Sequence, residues 1–526
     1  MRFFNTAGPC KQEDHYIVPP LERVDLDDIL MLIQQGKYFV LHAPRQTGKT
    51  TCMLALMEYL NIEGRYSALY INVEAAQAAR EDVTAGINAI LADMGSRGLS
   101  VLNDDFLDKI RQKVIETNNA FTALNEVLSL WAANSSKPVV LIMDEIDSLV
   151  GDTLISVLRQ IRSGYDKRPA NFPQSIILCG VRDVRDYRIH SDKDKSIITG
   201  GSAFNIKAAS LRLGDFTRDE VESLLIQHTK ETGQKFTRDA KDCIWDYTLG
   251  QPWLVSALAY EVCFKIKEGR DRAIDIDETM IIQAKENLIL RRETHLDQLA
   301  DKLKEERVRK VVEPVLLGMP GTSDISIDDL DYVYDLGLIR RKPHVAISNP
   351  IYAEIIPRML VATTQEMMSF ETPWYVQKEG SLDMSKLLNE FQEFFREHSE
   401  HWIERFSYKE AGPHLLLQAF LQRIVNSGGR IEREYGLGRM RTDLLVVWNK
   451  GDGEVQKIVI ELKILYKSLE KTIDQGLEQT GRYMERCGSS EGHLVIFNRS
   501  DDISWDKKIF SEKREFKGKD IMVWGM

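Results

Sequence analysis

Residues 43–50 read Ala-Pro-Arg-Gln-Thr-Gly-Lys-Thr. A glycine followed by a lysine and a hydroxyl residue, where a strand turns into a helix, is the chemistry of a phosphate cradle. Gly48 lets backbone N–H groups approach phosphate oxygens, and the helix N-terminus behind them adds positive potential. Lys49 is placed for the β- and γ-phosphates, and the Thr50 hydroxyl suits a magnesium ion. The expected nucleotide-binding set is Ala43, Pro44, Arg45, Gln46, Thr47, Gly48, Lys49, Thr50 and Thr51. Ala43 stands where the GxxxxGK[ST] pattern has its first glycine, so that position is expected to keep a negative φ or to alter the turn slightly.

A second element belongs with the first. Val139-Val140-Leu141-Ile142-Met143 runs into Asp144-Glu145. An apolar strand ending in two carboxylates can hold magnesium through water at Asp144, while Glu145 orients or deprotonates an attacking water. Asp147 reads as a helix cap or a supporting group. Arg182, at the end of a further apolar run, is a candidate γ-phosphate sensor. Arg159, Arg162 and Arg185 are candidates for an arginine finger offered to a neighbouring subunit, which makes a homo-oligomer an expected state. Tyr16 and Pro19 are candidates for the adenine pocket.

The third cluster lies near the C-terminus. Asp443 opens one strand-like run, and Ile458-Val459-Ile460-Glu461-Leu462-Lys463 is another. Alternate residues of a strand share a face, so Glu461 and Lys463 point the same way, and a paired strand brings Asp443 beside them. Two carboxylates and a lysine can bind one or two divalent ions, magnesium or manganese, and activate water for in-line attack on a phosphodiester. The lysine positions the nucleophile and offsets transition-state charge. Glu410 is a candidate upstream metal ligand, in competition with Glu432 and Glu434. Arg433, Arg439, Arg441 and Arg482 are candidate phosphate contacts.

Placing these groups requires particular elements. A helix over Asp27–Gln35 leads into a buried strand at Tyr38–Leu41, then the phosphate loop and a helix over Cys52–Leu60. Further strands are expected at Ala68–Val73, Val139–Met143 and Ser175–Cys179. Strands alternating with helices imply a parallel sheet covered on both faces. From about residue 216 the pattern is helical, broken at Gly250-Gln251-Pro252. Residues 299–361 read as short helices and a small hairpin around Lys342-Pro343, hence a winged helix, in which Arg340, Arg341 and Lys342 are candidate backbone-phosphate contacts. Residues 362–400, polar and mixed, read as a connector. Beyond them come a helix over Tyr408–Asn426, strands at Arg430–Tyr435, Asp443–Trp448 and Ile458–Leu462, a helix over Ile473–Cys487, and a strand at Leu494–Phe497.

Bulk properties bound the possibilities. The 526 residues exceed a single core, which stops growing near ~250–300 residues. With 43% hydrophobic and 28% charged residues the composition is that of a water-soluble globular protein. The net charge of −11 argues against a generally basic coat on nucleic acid. Residues 401–526 are nearer neutral, with 21 Lys+Arg against 19 Asp+Glu. Six scattered cysteines form no CxxC pair, which fits free thiols in a reducing, cytoplasmic compartment. No stretch approaches ~18 uninterrupted apolar residues, so no membrane span is expected.

On Ala43–Thr50, Val139–Asp147, the strand leading to Arg182, and Gly250-Gln251-Pro252-Trp253-Leu254, residues 29–360 resemble the AAA+/STAND class of ATPases, in the archaeal-type and AAA-like groups. That resemblance implies ATP with magnesium, a helical lid whose Pro252 region faces the nucleotide, and a nucleotide-driven assembly switch. On Asp443, Glu461-Leu462-Lys463 and Gln479-Thr480-Gly481-Arg482-Tyr483, residues 401–526 resemble the PD-(D/E)xK nuclease superfamily and its RecB-like members. Thr442 stands where that family favours proline. The resemblance implies a restriction-endonuclease-like α/β domain with Gln479 and Tyr483 supporting the metal site. It also implies nucleic acid as partner, with DNA favoured over RNA, and prokaryotic defence or mobile-element biology. The expected organisation is a multidomain α/β chain: an N-terminal segment to residue 28, an ATPase core over 29–215, a lid over 216–298, the winged helix, the connector and the nuclease domain. Two other classes remain open: an ATP-driven scaffold whose nuclease fold no longer cuts, and a DNA-translocating motor.

Overall fold

The computed structural model describes residues 1–117, 119–182, 188–190, 197–199, 206–291, 301–316, 325–360, 375–377, 379–405, 414, 416–418, 420–421, 429–437, 440–450, 454–465, 468–498, 500 and 503–526. The chain divides into two compact units. One comprises Met1–Arg292, Ser326–Lys342 and Ser348–Ile351, and the other Glu293–Ile325, Pro343–Ile347 and Tyr352–Met526. The span expected to be a single winged helix is thus shared between the two units. It holds helices at Glu306–Leu316, Ile327–Asp335 and Pro350–Leu360 and two-residue strands at Ile339–Arg340 and Ala346–Ile347.

The first unit is built on five parallel strands: β1 (Tyr38–His42), β2 (Ser67–Asn72), β3 (Val139–Asp144), β4 (Ser175–Gly180) and β5 (Lys207–Arg212). Their order is β2-β3-β4-β1-β5. β1, β3 and β4 are buried along their whole length, as strands covered on both faces must be. One face packs Ile87, Leu124, Trp131 and Leu158, and the other packs Ile33, Met53, Leu56 and Leu60. β5 was not anticipated. Lys207-Ala-Ala-Ser-Leu-Arg212 has no apolar run, because it is a half-buried edge strand.

Helix α1 (Leu26–Gln34) begins at Asp25, whose side chain accepts the Asp28 N–H, and buries Ile29, Leu32 and Ile33 at helical spacing. Helix α2 (Lys49–Glu63) follows Gly48 and stops at Gly64, both left-handed. Beyond the sheet the first unit continues with α3 (Arg218–Thr232), α4 (Arg238–Thr248), α5 (Pro252–Tyr260) and α6 (Glu278–Arg291). α3 opens with a reciprocal capping box between Thr217 and Glu220. A further helix of the first unit is α7 (Ile327–Asp335), capped by Ser326.

The second unit is a six-stranded mixed sheet. Its strands are β6 (Gly429–Leu437), β7 (Met440–Asn449), β8 (Val455–Ile464), β9 (Glu491–Phe497), β10 (Phe510–Phe516) and β11 (Lys519–Gly525), in the order β6-β7-β8-β9-β11-β10. β6, β7 and β8 form an antiparallel meander, while β8, β9 and β11 run parallel. Helix α8 (Met384–Arg405) corrects the expectation of a connector over 362–400. Met384, Leu387, Leu388, Phe391 and Phe395 recur at helical spacing and are buried, a stripe masked by the polar residues between them. Phe395 meets Phe497 at 5.4 Å on one face of the sheet. Helix α9 (Leu469–Cys487) covers the other through Ile473, Leu477, Tyr483 and Met484. Among the described residues no helix is long and apolar enough to cross a membrane.

Candidate functional site

The phosphate loop joins β1 to α2. Ala43 is buried, donates its N–H to the Gly180 carbonyl at 3.2 Å and is not among the positive-φ residues, as its missing glycine required. The left-handed turn falls on Gln46 (φ 58) and Gly48 (φ 93) instead. Thr47 is buried and donates its hydroxyl to the Pro44 carbonyl, while Arg45 and Gln46 are exposed. Lys49 is buried and folds back so that Nζ donates to the carbonyls of Ala43 (2.9 Å) and Pro44 (3.0 Å). A lysine held over the loop by weak carbonyl partners is placed to exchange them for phosphate oxygens. Thr51 accepts the Cys10 N–H at 3.0 Å.

The two halves of the nucleotide motif meet directly. The Thr50 hydroxyl donates to Asp144 Oδ2 at 2.7 Å. The Tyr70 hydroxyl donates to the same oxygen at 2.8 Å, and Asp144 Oδ1 accepts the Glu145 N–H at 2.9 Å. Asp144 is wholly buried and, among the described residues, pairs with no cation. A buried carboxylate beside a threonine hydroxyl is a hard-oxygen set that fits magnesium. Glu145 sits at φ 59. Burial pushes its carboxyl above the usual range, Asp147 and Asp144 add to the rise, and Lys49 and Arg45 oppose it. A half-buried carboxylate raised toward neutrality suits a general base. Asp147 accepts the Val181 N–H at 3.0 Å, so it ties the acidic strand end to the segment that carries Arg182.

Arg182 lies over the Tyr332 ring of α7 at 5.0 Å. The same helix sends Asp335 to within 3.6 Å of His42 Nδ1 and 4.0 Å of Arg212 Nε. Gly337 follows at φ 78, where an added Cβ would lie 2.7 Å from the Pro44 side chain. Arg159 and Arg162 are exposed, and Arg185 lies outside the described residues. Arg341 pairs with Asp331, and Arg340 Nη1 donates to the Lys342 carbonyl.

A pocket opens beside the loop. Its walls are the 5–8 turn, Tyr16, Phe216, Thr51, Pro252 and Trp253. Aromatic and aliphatic side chains beside polar ones suit a nucleobase and ribose. Tyr16 is in place, but Pro20 rather than Pro19 forms the wall, because Pro19 precedes the short 3-10 turn Pro20–Arg23. The Gly250-Gln251-Pro252 break has a steric reason. At Gly250 (φ 81) an added Cβ would lie 2.0 Å from the Phe216 carbonyl, and the Phe216 N–H donates to the Gly250 carbonyl at 2.8 Å. Gln251 then caps α5, with Pro252 in its first turn. Sequence reasoning missed three participants. Tyr70 stood inside an ordinary strand, Arg23 in a stretch without periodicity, and the 5–10 segment carried no motif.

In the second unit, Glu461 is buried and its Oε1 accepts from Lys463 Nζ at 2.7 Å. Both share a strand face with Val459, the face that α9 covers. Leu444 of β7 pairs with Ile460 of β8, so one step further the same register sets Asp443 opposite Glu461. The Asp443 side chain, like those of Glu432, Arg433, Glu434 and Arg441, lies outside the described set, as do residues Glu410 and Arg439 entirely. Gln479 is half-buried on α9 one turn before buried Tyr483, while Arg482 is paired with Glu478. Among the described residues no group of three His, Cys, Asp or Glu side chains is gathered for a metal.

Comparison with known families agrees with the geometry of the first unit. Residues 33–187 match an AAA domain, which assigns that stretch to the AAA-type P-loop ATPase modules. The match spans less than half of the chain. Solved structures of similar fold include the Walker-type ATPase PABY2304 of Pyrococcus abyssi, at 15% identity over 67% of this chain and 99% of that one, with a TM-score of 0.44. Cdc6p from Pyrobaculum aerophilum is 14% identical over 69% of this chain and 98% of its own, with a TM-score of 0.37. Domain III of the replication initiation protein DnaA from Thermotoga maritima is 12% identical over 53% and 98%, with a TM-score of 0.32. No curated protein matches the chain.

Proposed function

We propose that this chain is an ATP-binding and ATP-hydrolysing switch that controls a metal-dependent nuclease carried in its second unit. The observation that carries the first half is the 2.7 Å hydrogen bond from Thr50 to Asp144, which unites the phosphate loop with the acidic strand end. Lys49 and the loop amides bind the β- and γ-phosphates, and the 5–8 turn, Tyr16 and Trp253 hold the base. Thr50 and Asp144 hold magnesium, which supplies charge neutralisation at the phosphates. Glu145 accepts the proton of the attacking water. Arg182 reads the γ-phosphate from the neighbouring strand end.

The second half is supported by the Glu461–Lys463 pair, the register position of Asp443 and the α9 segment with Gln479 and Tyr483. Asp443 and Glu461 would hold magnesium or manganese, which would supply the activation of water. Lys463 steadies the nucleophile, and DNA is the favoured substrate. ATP-dependent assembly of copies of the chain gates the cut, and defence against foreign DNA is the setting that fits such a device.

The test is a cleavage assay on plasmid, single-stranded DNA and RNA with magnesium or manganese, run without nucleotide and with ATP, ADP or a non-hydrolysable analogue. Lys49→Ala, Glu145→Gln and Lys463→Ala accompany the wild type. The expected result is cleavage that changes with nucleotide state, is insensitive to nucleotide in Lys49→Ala and disappears in Lys463→Ala. Cleavage equal in wild type and Lys463→Ala, or absent in both, overturns the nuclease half and leaves an ATP-driven scaffold.

A further inference from the structure

Tyr70 has no counterpart in either motif, yet its hydroxyl touches the magnesium-side carboxylate. It lies on β2, opposite Ile142 in the register that sets Asn72 opposite Asp144. From two residues back its side chain reaches along the strand to donate to Asp144 Oδ2 at 2.8 Å. The ring is 2% exposed, and the Arg97 guanidinium lies 4.8 Å from its centroid. Arg97 is held by Asp93 at 2.9 Å, and Asp93 also accepts the Asn72 N–H from the end of the same strand. The phenol is therefore gripped on several sides.

The lone pairs can be accounted for. A carboxylate oxygen offers two acceptor positions. On Asp144 Oδ2 both are taken, by the Thr50 and Tyr70 hydroxyls. Oδ1 has one position engaged by the Glu145 N–H. The open acceptor direction for a magnesium-bound water thus lies on Oδ1. Without the phenol, Oδ2 keeps only the Thr50 hydroxyl, and the carboxylate is free to turn about its χ2 axis, whose preference is broad.

We infer that Tyr70 is a positioning residue for the metal: it orients the Asp144 carboxylate so that magnesium binds with the nucleotide, without itself touching either. The inference rests on the reading of Asp144 as the magnesium-side acid. Neighbours that orient a metal-binding carboxylate typically contribute about 10–100-fold in metal affinity.

The experiment uses the full chain and a fluorescent ATP analogue. Affinity is measured first with a chelator and then across a magnesium titration, for wild type, Tyr70→Phe and Asp144→Asn. Phenylalanine keeps the ring, its burial and the Arg97 contact, and removes only the hydroxyl. The expected result is metal-free affinity in Tyr70→Phe equal to wild type, with the magnesium midpoint raised roughly tenfold. Asp144→Asn raises it at least as far. A midpoint in Tyr70→Phe within twofold of wild type overturns the inference. So does an equal loss with and without metal, which marks a merely structural tyrosine. If wild type shows no magnesium dependence, the reading of Asp144 itself fails and the inference falls with it. That outcome is distinguished by being visible before any variant is compared.

Discussion

The Arg23 guanidinium donates to the Thr47 carbonyl through Nη1 at 2.5 Å, holding the phosphate loop from outside the strand and helix that flank it. Its Nη2 donates to the Gly214 carbonyl at 2.8 Å, and its plane lies over Phe216 at 4.6 Å. The loop and the 214–216 segment therefore share one cation. Replacing it by alanine leaves the part-buried Thr47 carbonyl without this donor, at about 1–3 kcal/mol, while the exposed Gly214 carbonyl turns to water. Arg23→Ala is expected to lower the denaturation midpoint and to weaken ATP binding roughly tenfold, with Arg23→Lys intermediate because one ammonium does not reproduce the guanidinium fork. Unchanged binding in Arg23→Ala would show that the clasp does not act on the loop.

Glu145 gives a dependence on pH with a definite sign. Its folded pKa is raised, chiefly by burial. The fold therefore binds more protons there than the unfolded chain between the usual carboxylate pKa and the raised one, and stability falls as pH rises through that window. In nucleotide-free protein, Glu145→Gln should melt above wild type at neutral pH. The gap should close as pH drops below the ordinary carboxylate range. A gap independent of pH counts against the assignment. Turnover, which needs the ionised form, should fall as the medium is acidified.

Lys463→Ala bears on folding as well as on cleavage. The Glu461 side chain is 3% exposed and Lys463 Nζ stands 2.7 Å from it. Loss of the ammonium leaves a buried carboxylate with a poorer environment, at a cost of about 1–3 kcal/mol. Glu461→Gln should cost less, since a neutral amide tolerates burial better. Chemical denaturation monitored on the second unit separates the two, and equal stability in both single variants would contradict the burial argument.

Gly337 is the residue where α7 comes closest to the phosphate loop. At φ 78 an alanine is strained by about 1–2 kcal/mol, and its Cβ would crowd Pro44. Gly337→Ala should lower stability by at least that amount and alter ATP-analogue affinity, because Pro44 must shift. A stability loss with unchanged affinity would confine Gly337 to a structural role.

Assembly is expected to follow nucleotide. Size-exclusion chromatography with ATP, ADP or a non-hydrolysable analogue should show a species larger than the monomer in one of these states. A monomer throughout would remove the case for an arginine finger in trans.

The sequence disclosed what depends on short, strongly typed runs. Gly48-Lys49-Thr50 and the apolar run into Asp144 needed no long-range information, and α1 lay within one residue of its expected bounds. Glu461 and Lys463 were legible because alternation on a buried strand fixes a shared face. What escaped was contact made across the chain. Tyr70 meets Asp144 from 74 residues away, and Arg23 meets Gly214 from 191. β5 and β10 carry alternating or polar residues with no apolar run, and α8 hid its Phe391 and Phe395 stripe among charges.

The order of the first sheet has a consequence for synthesis. β1 carries the phosphate loop but hydrogen-bonds to β4 and β5, and has no ladder with β2, which follows it in the chain. As the chain leaves the ribosome, Tyr38–His42 has no neighbouring strand until Ser175–Gly180 has emerged, and no second one until Arg212. The nucleotide pocket waits longer, for Pro252 and Trp253. A nascent chain therefore carries its phosphate-binding residues for more than a hundred codons before they have a scaffold, and a fragment stopping short of Trp253 lacks one wall of the pocket.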